Sequence, residues 1–152
     1  MIFDDEEVYL IGWHIHTPSE HIVEGVQSKA ELHLVHANSE GKARAVLGFR
    51  VDPGLTGSLF FDQWLEKLPT MKDESAVEME VDIGTVLSDA GMMKNFWTYE
   101  GSLTSPPCTE GLRWFVAADI LRIDVAQMKK LLESSMYSAR VLQSLWEQNV
   151  NM

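Results

Sequence analysis

Cysteine, basic residues and long apolar runs are all scarce in this 152-residue sequence. Cys108 is the only cysteine, so the sequence can form neither an internal disulfide nor a cysteine-rich structural zinc site. No apolar run approaches the ~20 residues that a helix needs to cross a bilayer. We therefore expect a protein that is stabilised by its apolar core and does not lie in a membrane.

Basic side chains are outnumbered by acidic ones. The 12 Lys and Arg face 23 Asp and Glu, which gives a formal net charge of −11. Because such a surface repels phosphates and anionic headgroups, we expect neither a nucleic acid nor a membrane surface as partner. Residues 1–8 are acidic, whereas a secretory signal has a basic start and an apolar stretch. Two interpretations stay open, a cytoplasmic protein or a fragment whose signal lies outside the sequence.

Apolar residues, in contrast, are plentiful. They make up 45% of the chain and include five Trp and six Phe, which is enough to bury a core. The length favours a single domain over residues 1–152. Histidine has an unusual distribution, because all five lie within residues 14–36. This clustering points to a functional site.

The apolar pattern predicts a mainly β fold of the α+β class. Residues 8–16, 29–36 and 43–51 have the composition of strands, and turn-like residues separate them, so we expect an antiparallel meander. The architecture expected is a twisted, mostly antiparallel central sheet with a few peripheral helices. Weaker patterns predict further elements, namely strands over 75–83, 96–99 and 112–117, and helices over 59–68 and 124–132, the last with Asp124 as N-cap.

The histidines can form a metal site. His14 and His16 are two residues apart on a predicted strand, so their side chains point to the same face. Glu31, His33 and Val35 share one face of the next predicted strand by the same rule. If the two strands are neighbours, three imidazoles converge, and three protein ligands with one open position are typical of a catalytic zinc.

Two other histidines compete for the third position. His36 falls on the opposite face of its strand from His33, so it joins the same site only after a register shift. His21 follows the turn at Pro18, and the spacing does not exclude it.

Four ordered segments resemble the α-carbonic anhydrase family. Residues 13–21 (WHIHTPSEH) resemble the family's HxH and SEH segments, and residues 30–36 (AELHLVH) resemble the segment with its third histidine. Residues 45–48 (AVLG) follow at the expected distance, and residues 97–110 (WTYEGSLTSPPCTE) resemble its WTYPGSLTTPP signature. These matches cover most of residues 8–118, and they imply an α-carbonic-anhydrase-like fold.

The resemblance implies reversible hydration of carbon dioxide to bicarbonate by a zinc-bound hydroxide. Thr104 matches the threonine that accepts a hydrogen bond from the hydroxide, and Glu20 matches the glutamate that accepts the threonine's proton. Glu31 matches a carboxylate that orients a zinc-bound histidine. The implied ligands of the Zn²⁺ ion are His14, His16 and His33.

The resemblance also implies a dry pocket for the small substrate. Ser105 stands where the family often has a threonine near bound bicarbonate. The residues that match the apolar wall of the pocket are Val35, Val46, Leu103 and Trp114.

The family's catalytic domain is longer than this sequence, and members are often secreted. Its first third, which carries the proton-shuttling histidine, has no counterpart here, so we expect a truncated form of the domain. We expect a second copy, in a homodimer, or a partner segment to cover the surface that this third normally covers. Two further readings stay open: a zinc-binding but weakly active or non-catalytic module, and an esterase side activity of the same site.

Overall fold

A computed structural model of the chain describes residues 1–67, 79–135, 137–144 and 149–152. Most of its regular structure is β-strand. The strands are β1 (Ile2–Phe3), β2 (Glu6–Glu7), β3 (Tyr9–His16), β4 (Ile22–Val23), β5 (Val26–Gln27), β6 (Ala30–Ala37), β7 (Ala43–Pro53), β8 (Phe96–Ser102), β9 (Glu110–Ala117) and β10 (Leu121–Ile123). The α-helices are α1 (Leu59–Asp62), α2 (Ile83–Asp89) and α3 (Val125–Ser134).

One mixed sheet organises the molecule. Its strands lie in the order β3-β6-β7-β9-β8, and β10 pairs with β7 outside this path. The β3/β6, β6/β7 and β8/β9 pairs are antiparallel, whereas β7 pairs in parallel with both β9 and β10. The predicted meander of three strands is therefore confirmed as β3-β6-β7. Two small hairpins, β1-β2 and β4-β5, lie beside the sheet.

The two faces of the sheet bury different residues. On the face we call the core face, Leu32, Leu34, Phe49 and Val51 are fully buried against α1, α2 and α3. On the opposite face, which we call the histidine face, a smaller apolar cluster surrounds the polar groups of β6 and β7 and contains Val46, Leu112, Trp114 and Val116. Because side chains alternate along each strand, β6 places Leu32 and Leu34 on the core face and Glu31 and His33 on the histidine face.

Helix α3 agrees well with the sequence. The Asp124 side chain accepts a hydrogen bond from the Gln127 backbone N–H, and the Gln127 side chain accepts one from the Asp124 backbone N–H. This reciprocal capping box satisfies two backbone donors at the start of the helix. Met128 and Leu131 on its inner side are buried in the core.

Three predicted elements differ from the structure. The helix predicted over 59–68 is regular only to Asp62, and a 3₁₀ turn at Leu65–Lys67 follows it. The strand predicted over 75–83 is wrong over residues 79–83. Residues 79–82 are not in a strand, and Ile83 begins α2 because the Asp82 side chain caps the Gly84 N–H. Residues 68 and 75–78 of these two predictions lie outside the described residues. Strand β8 continues past Tyr99 to Ser102.

Among the helices that the structure describes, none is long and apolar enough to span a membrane.

Candidate metal centre

Strand pairing brings three histidines together on the histidine face. His14 lies directly opposite His33 across the β3/β6 ladder, and His16 is the next residue of β3 on the same face. The ring centroids are 4.9 Å apart for His14 and His16, 5.2 Å for His14 and His33, and 4.9 Å for His16 and His33. One ring nitrogen from each lies within 4.8 Å of the others. The alternation of β3 and the register with β6 are therefore sufficient to form a three-imidazole cluster.

Burial favours the neutral form of two of these imidazoles, His14 and His16. His33 is fully buried, His16 is 7% exposed and His14 is half-buried. Burial, with the charges of His33 and His16, lowers the pKa of His14 to about 4. Burial and the charge of His33 also lower the pKa of His16, although the Ser138 carbonyl and the neighbouring carboxylates oppose that shift. A neutral imidazole carries the lone pair that a metal ion needs.

Hydrogen bonds decide which nitrogen of each ring is free. The His33 Nε2–H donates to a Glu31 carboxylate oxygen at 2.9 Å, and His33 Nδ1 is buried with no hydrogen-bond partner in the described chain. The His16 Nδ1–H donates to the Ser138 carbonyl at 2.9 Å, which leaves the lone pair on Nε2. A buried nitrogen without a partner costs free energy. The cluster therefore fits a zinc ion, which imidazole nitrogens bind well.

The Glu31 carboxylate is fully buried behind His33. It accepts hydrogen bonds from the His33 ring, from the His21 ring and, at 2.8 Å, from the His21 backbone N–H. Burial alone would raise the pKa of Glu31, but the charge of His21 and the hydrogen bonds from both rings hold that pKa well below its ordinary value. Glu31 is therefore an ionised acceptor, and each ring nitrogen that faces it must carry a proton.

The two competing histidines lie outside the three-histidine cluster. His36 is on the core-facing side of β6, where its Nδ1–H donates to the Leu34 carbonyl at 3.1 Å. His21 belongs to a second group with Glu31 and His33, and its other ring nitrogen lies 2.7 Å from the Tyr99 hydroxyl. Burial raises the pKa of Tyr99, and Glu31 and Glu20 add to the shift, so this phenol stays protonated.

Thr104 and Glu20 both approach the cluster at His16. The Thr104 hydroxyl is 3.4 Å from His16 Nε2, and Glu20 Oε2 is 3.5 Å from the same nitrogen. Glu20 Oε1 accepts a hydrogen bond from the Arg140 backbone N–H at 2.6 Å, whereas Oε2 is buried with no hydrogen-bond partner in the described chain. Within the part of the chain that the structure describes, no hydrogen bond joins Thr104 directly to Glu20.

A small pocket opens beside the three histidines. It is a narrow crevice, and the Thr104 side chain forms part of its wall. Ser105 lies exposed in the loop after β8 and does not line this pocket. The remaining lining residues are His14, His33, Val35, Val46, Leu103 and Trp114.

Comparison with known proteins agrees with this geometry. A family model of eukaryotic-type carbonic anhydrases matches residues 9–150. The chain belongs to this family. It is 35% identical over 142 residues to alpha carbonic anhydrase 8 of Arabidopsis thaliana. The alignment covers 90% of this chain and 36% of that relative. It is 33% identical over 139 residues to a carbonic anhydrase of Nostoc, with 90% of this chain and 50% of that protein covered.

Solved carbonic anhydrase structures share the fold. The α-carbonic anhydrase of Photobacterium profundum superposes with a TM-score of 0.84 at 32% identity, over 97% of this chain and 66% of that one. The enzyme from Thermovibrio ammonificans, in complex with the inhibitor sulfanilamide, gives a TM-score of 0.84 at 28% identity, over 98% and 65%. The chain thus spans a third to a half of these curated relatives and about two thirds of these solved structures.

Some contacts of this candidate site could not be found from the sequence. The Ser138 carbonyl and the Arg140 N–H are backbone groups that lie 122 and 120 residues from their partners. Any residue type can supply a backbone group, so no sequence signal identifies these contacts. Tyr99, in contrast, lies inside the WTYEGS segment, which the family resemblance had already singled out.

Proposed function

We propose that this chain is a zinc-dependent carbonic anhydrase that reversibly hydrates carbon dioxide to bicarbonate. The observation that carries the proposal is the buried, partnerless Nδ1 of His33, which faces the other two imidazoles. Nothing in the described residues satisfies this nitrogen, whereas a metal ion held also by His14 and His16 would. The family membership of the chain supports the same conclusion.

The proposed ion would be held by His14, His16 and His33. In carbonic anhydrases, which are the standard example of this chemistry and the source of this value, bound zinc lowers the pKa of water to about 7 and so supplies a nucleophile at neutral pH. Glu31 and the Ser138 carbonyl hold two of the imidazoles in the tautomers that offer a lone pair.

We assign to Thr104 and Glu20 the orientation of the attacking water and of its proton. Glu20 Oε2 has no hydrogen-bond donor within the described residues. It lies 3.5 Å from His16 Nε2, and the Thr104 hydroxyl approaches that same nitrogen. A small rotation of the threonine would let its hydroxyl donate to Oε2. Its oxygen would then accept a hydrogen bond from the attacking water and so direct that water toward the pocket.

The apolar wall of the pocket suits the substrate. Carbon dioxide has no net charge and little hydrogen-bonding capacity, so it gains from a surface that water binds poorly. Val46 and Trp114 are 1% exposed, and they close the pocket from the side of the sheet. We assign Val35 and Leu103 to the same wall. For Ser105, which is exposed, we keep the predicted place near bicarbonate as a proposal.

The proposal is tested by stopped-flow hydration of carbon dioxide with zinc-loaded protein, with and without a high concentration of imidazole buffer. A matched pair of variants, His33→Gln and His36→Gln, changes one histidine inside the cluster and one outside it on the same strand. We expect activity in the wild type and in His36→Gln and its loss in His33→Gln. A rise with imidazole would show that proton transfer limits the rate. Wild-type protein that binds zinc but has no activity in either buffer would overturn the enzyme assignment.

One observation favours a second candidate, a zinc-binding module with weak or no turnover. Thr104 and Glu20 both contact the same His16 nitrogen instead of each other, so the hydrogen bond that would orient water is not formed in this structure. Zinc binding without activity in the assay above would support this candidate. Hydrolysis of an activated ester by the zinc-loaded protein would establish the proposed esterase side activity.

The homodimer also remains a proposal. Strand β3 is an outer strand of the main sheet, and Tyr9, Leu10 and Ile11 on it are exposed. A second copy that paired with this edge would cover these side chains and the free backbone groups. Light scattering that gave the mass of one chain at all concentrations would rule it out.

A further inference from the structure

An open cavity of about 540 Å³ lies where β8 ends and β9 begins, against the C-terminal tail (residues 149–152). Its volume falls within the range of small-molecule sites, roughly 300–1,000 Å³. The strands contribute Glu100 and Arg113 to its lining, and the tail contributes Asn149 and Asn151. The proposed function uses none of these side chains, so the cavity needs an explanation of its own.

The cavity and the metal centre lie on opposite sides of β9. Trp114 faces the histidines, since its ring centroid lies 4.7 Å from that of His33. Neighbouring residues of a strand point to opposite faces, so Arg113 points away from the histidines. Glu100 lies directly opposite Arg113 across the β8/β9 ladder and therefore shares its face. A ligand in the cavity would thus be separated from the three imidazoles by the sheet.

The charged side chains of the cavity have no partners in the described part of the chain. Glu100 and Arg113 are cross-strand neighbours of opposite charge, which usually pair, but no ion pair joins them. Glu110, on the same lining, forms none either. Arg113 is half-buried, so part of its hydration is already lost. These three side chains therefore offer donors and acceptors to a ligand.

Backbone features keep the cavity open. Asn151 exchanges two backbone hydrogen bonds with Thr98, at 2.8 and 3.0 Å, and so fixes the tail beside β8. The lining also contains Gly101 and Gly111, which have no side chains to fill the space. Gly111 has a φ of +79°, in the left-handed region that glycine adopts most easily. The cavity is therefore formed before a ligand arrives, which lowers the cost of binding.

The charges of the lining specify the kind of ligand. A guanidinium such as that of Arg113 binds a carboxylate through two parallel hydrogen bonds, and the carboxylates of Glu100 and Glu110 bind cationic groups. The side chains of Asn149 and Asn151 add neutral donors and acceptors. The complementary ligand therefore has one carboxylate and two cationic groups. A basic α-amino acid has this composition.

We propose that this cavity binds a basic α-amino acid, with the ligand carboxylate on Arg113 and its two cationic groups on Glu100 and Glu110. The inference goes beyond the proposed function, since it involves neither zinc nor the imidazoles. The two carboxylates of the lining repel a ligand that is only anionic, and Arg113 repels one that is only cationic. A ligand must therefore carry charges of both signs.

Nitrogen-15 NMR of the whole chain, titrated with L-lysine, tests the inference. We expect the amide signals of Gly101 and Gly111 to shift with a Kd of about 1 mM or lower, which a ligand of about ten non-hydrogen atoms can reach. Norleucine lacks the side-chain amine, and cadaverine lacks the carboxylate. Both should bind about tenfold more weakly or worse, because each loses a charge-assisted hydrogen bond.

Two variants and two matched controls locate the ligand. Arg113→Gln and Glu110→Gln each remove one charge from the lining. Arg122→Gln and Glu40→Gln make the same changes at exposed positions outside the cavity. We expect the first two to weaken L-lysine binding about fivefold or more, because the ligand loses an ion pair in an open site. Both controls should bind L-lysine as the wild type does.

The outcomes separate this inference from the proposed function. No shift of the two glycine signals far above the expected Kd would overturn the inference. Equal binding of cadaverine would overturn it as well, because an acidic protein attracts any cation. Binding that required zinc or was lost in His33→Gln would place L-lysine at the metal centre and contradict the inference. Protein that bound L-lysine as expected but no zinc would contradict the proposed function alone.

Discussion

The strands and the loops of the candidate site build their contacts in different ways. His14, His16 and His33 lie on paired strands, where alternation and register alone bring them together. Thr104 and Glu20 lie outside the strands of the main sheet, and both approach His16, Glu20 from four residues along the chain and Thr104 from 88 residues away. In the proposed mechanism, the strands position the residues that would bind the metal, whereas the loops position those that would act on the water and the proton beside it.

This contrast predicts that changes in the loops alter turnover without altering metal binding. The largest effect is expected for Thr104→Val, which keeps the shape of the side chain and removes its hydroxyl. We expect turnover to fall about a hundredfold or more, the range for loss of one orienting hydrogen bond, because the attacking water is no longer directed. Zinc affinity should stay at the wild-type value, since Thr104 is not one of the three ligands.

The control for this prediction is Thr109→Val in the same loop, where the side chain is exposed. It should leave both turnover and zinc affinity unchanged. A Thr104→Val protein that lost zinc would contradict the separation of roles between strands and loops.

A smaller effect is expected at Arg140, where the backbone and not the side chain contacts the site. Arg140→Pro removes the N–H that donates to Glu20 Oε1 at 2.6 Å, whereas Arg140→Ala keeps it. We expect turnover to fall about tenfold in the proline variant, which corresponds to roughly 1.4 kcal/mol, and to change little in the alanine variant. Steady-state hydration rates at equal zinc occupancy would measure this. Equal losses in the two variants would mean that the side chain is responsible.

The smallest effect concerns the stability of the metal-free protein at different pH values. Burial, with the charges of His33 and His16, lowers the pKa of folded His14 to about 4, below its ordinary value of 6.5. Between these values the unfolded chain binds a proton that folded His14 does not, so the free energy of unfolding falls as the pH falls. Below about pH 4 both states are protonated and this contribution is constant.

Because His14 is partly exposed, we expect a loss of only about 1–2 kcal/mol between pH 6.5 and 4.5 from this residue. Chemical denaturation of chelator-treated protein at the two pH values measures it. His14→Asn should have a shallower dependence on pH. A variant with the wild-type slope would show that His14 is not the titrating group.

The same contrast explains what could be predicted from the sequence. The spacing of His14 and His16 requires only strand alternation, so the shared face was predictable, as was the separation of His36 from His33. The pairing of His14 with His33 was not, because register depends on a bulge between Leu10 and Gly12 that the sequence does not mark. The start of α2 was missed because its signal is one capping side chain, Asp82, beside a weak apolar pattern.

Contacts made by loops were harder still to predict. Backbone groups can be supplied by any residue type, so the Ser138 carbonyl and the Arg140 N–H had no signature. The sequence therefore predicts which strand residues share a face, but not the backbone groups that contact them.

The central claim is that three imidazoles from two paired strands hold one zinc ion, and X-ray absorption at the zinc edge tests it most directly. The account predicts one zinc per chain, with three imidazole nitrogens and one oxygen at about 2.0–2.2 Å. In His33→Gln the spectrum should lose one imidazole, whereas in His36→Gln it should not change. A wild-type site with fewer than three imidazoles, or a spectrum that His33→Gln left unchanged, would contradict the account.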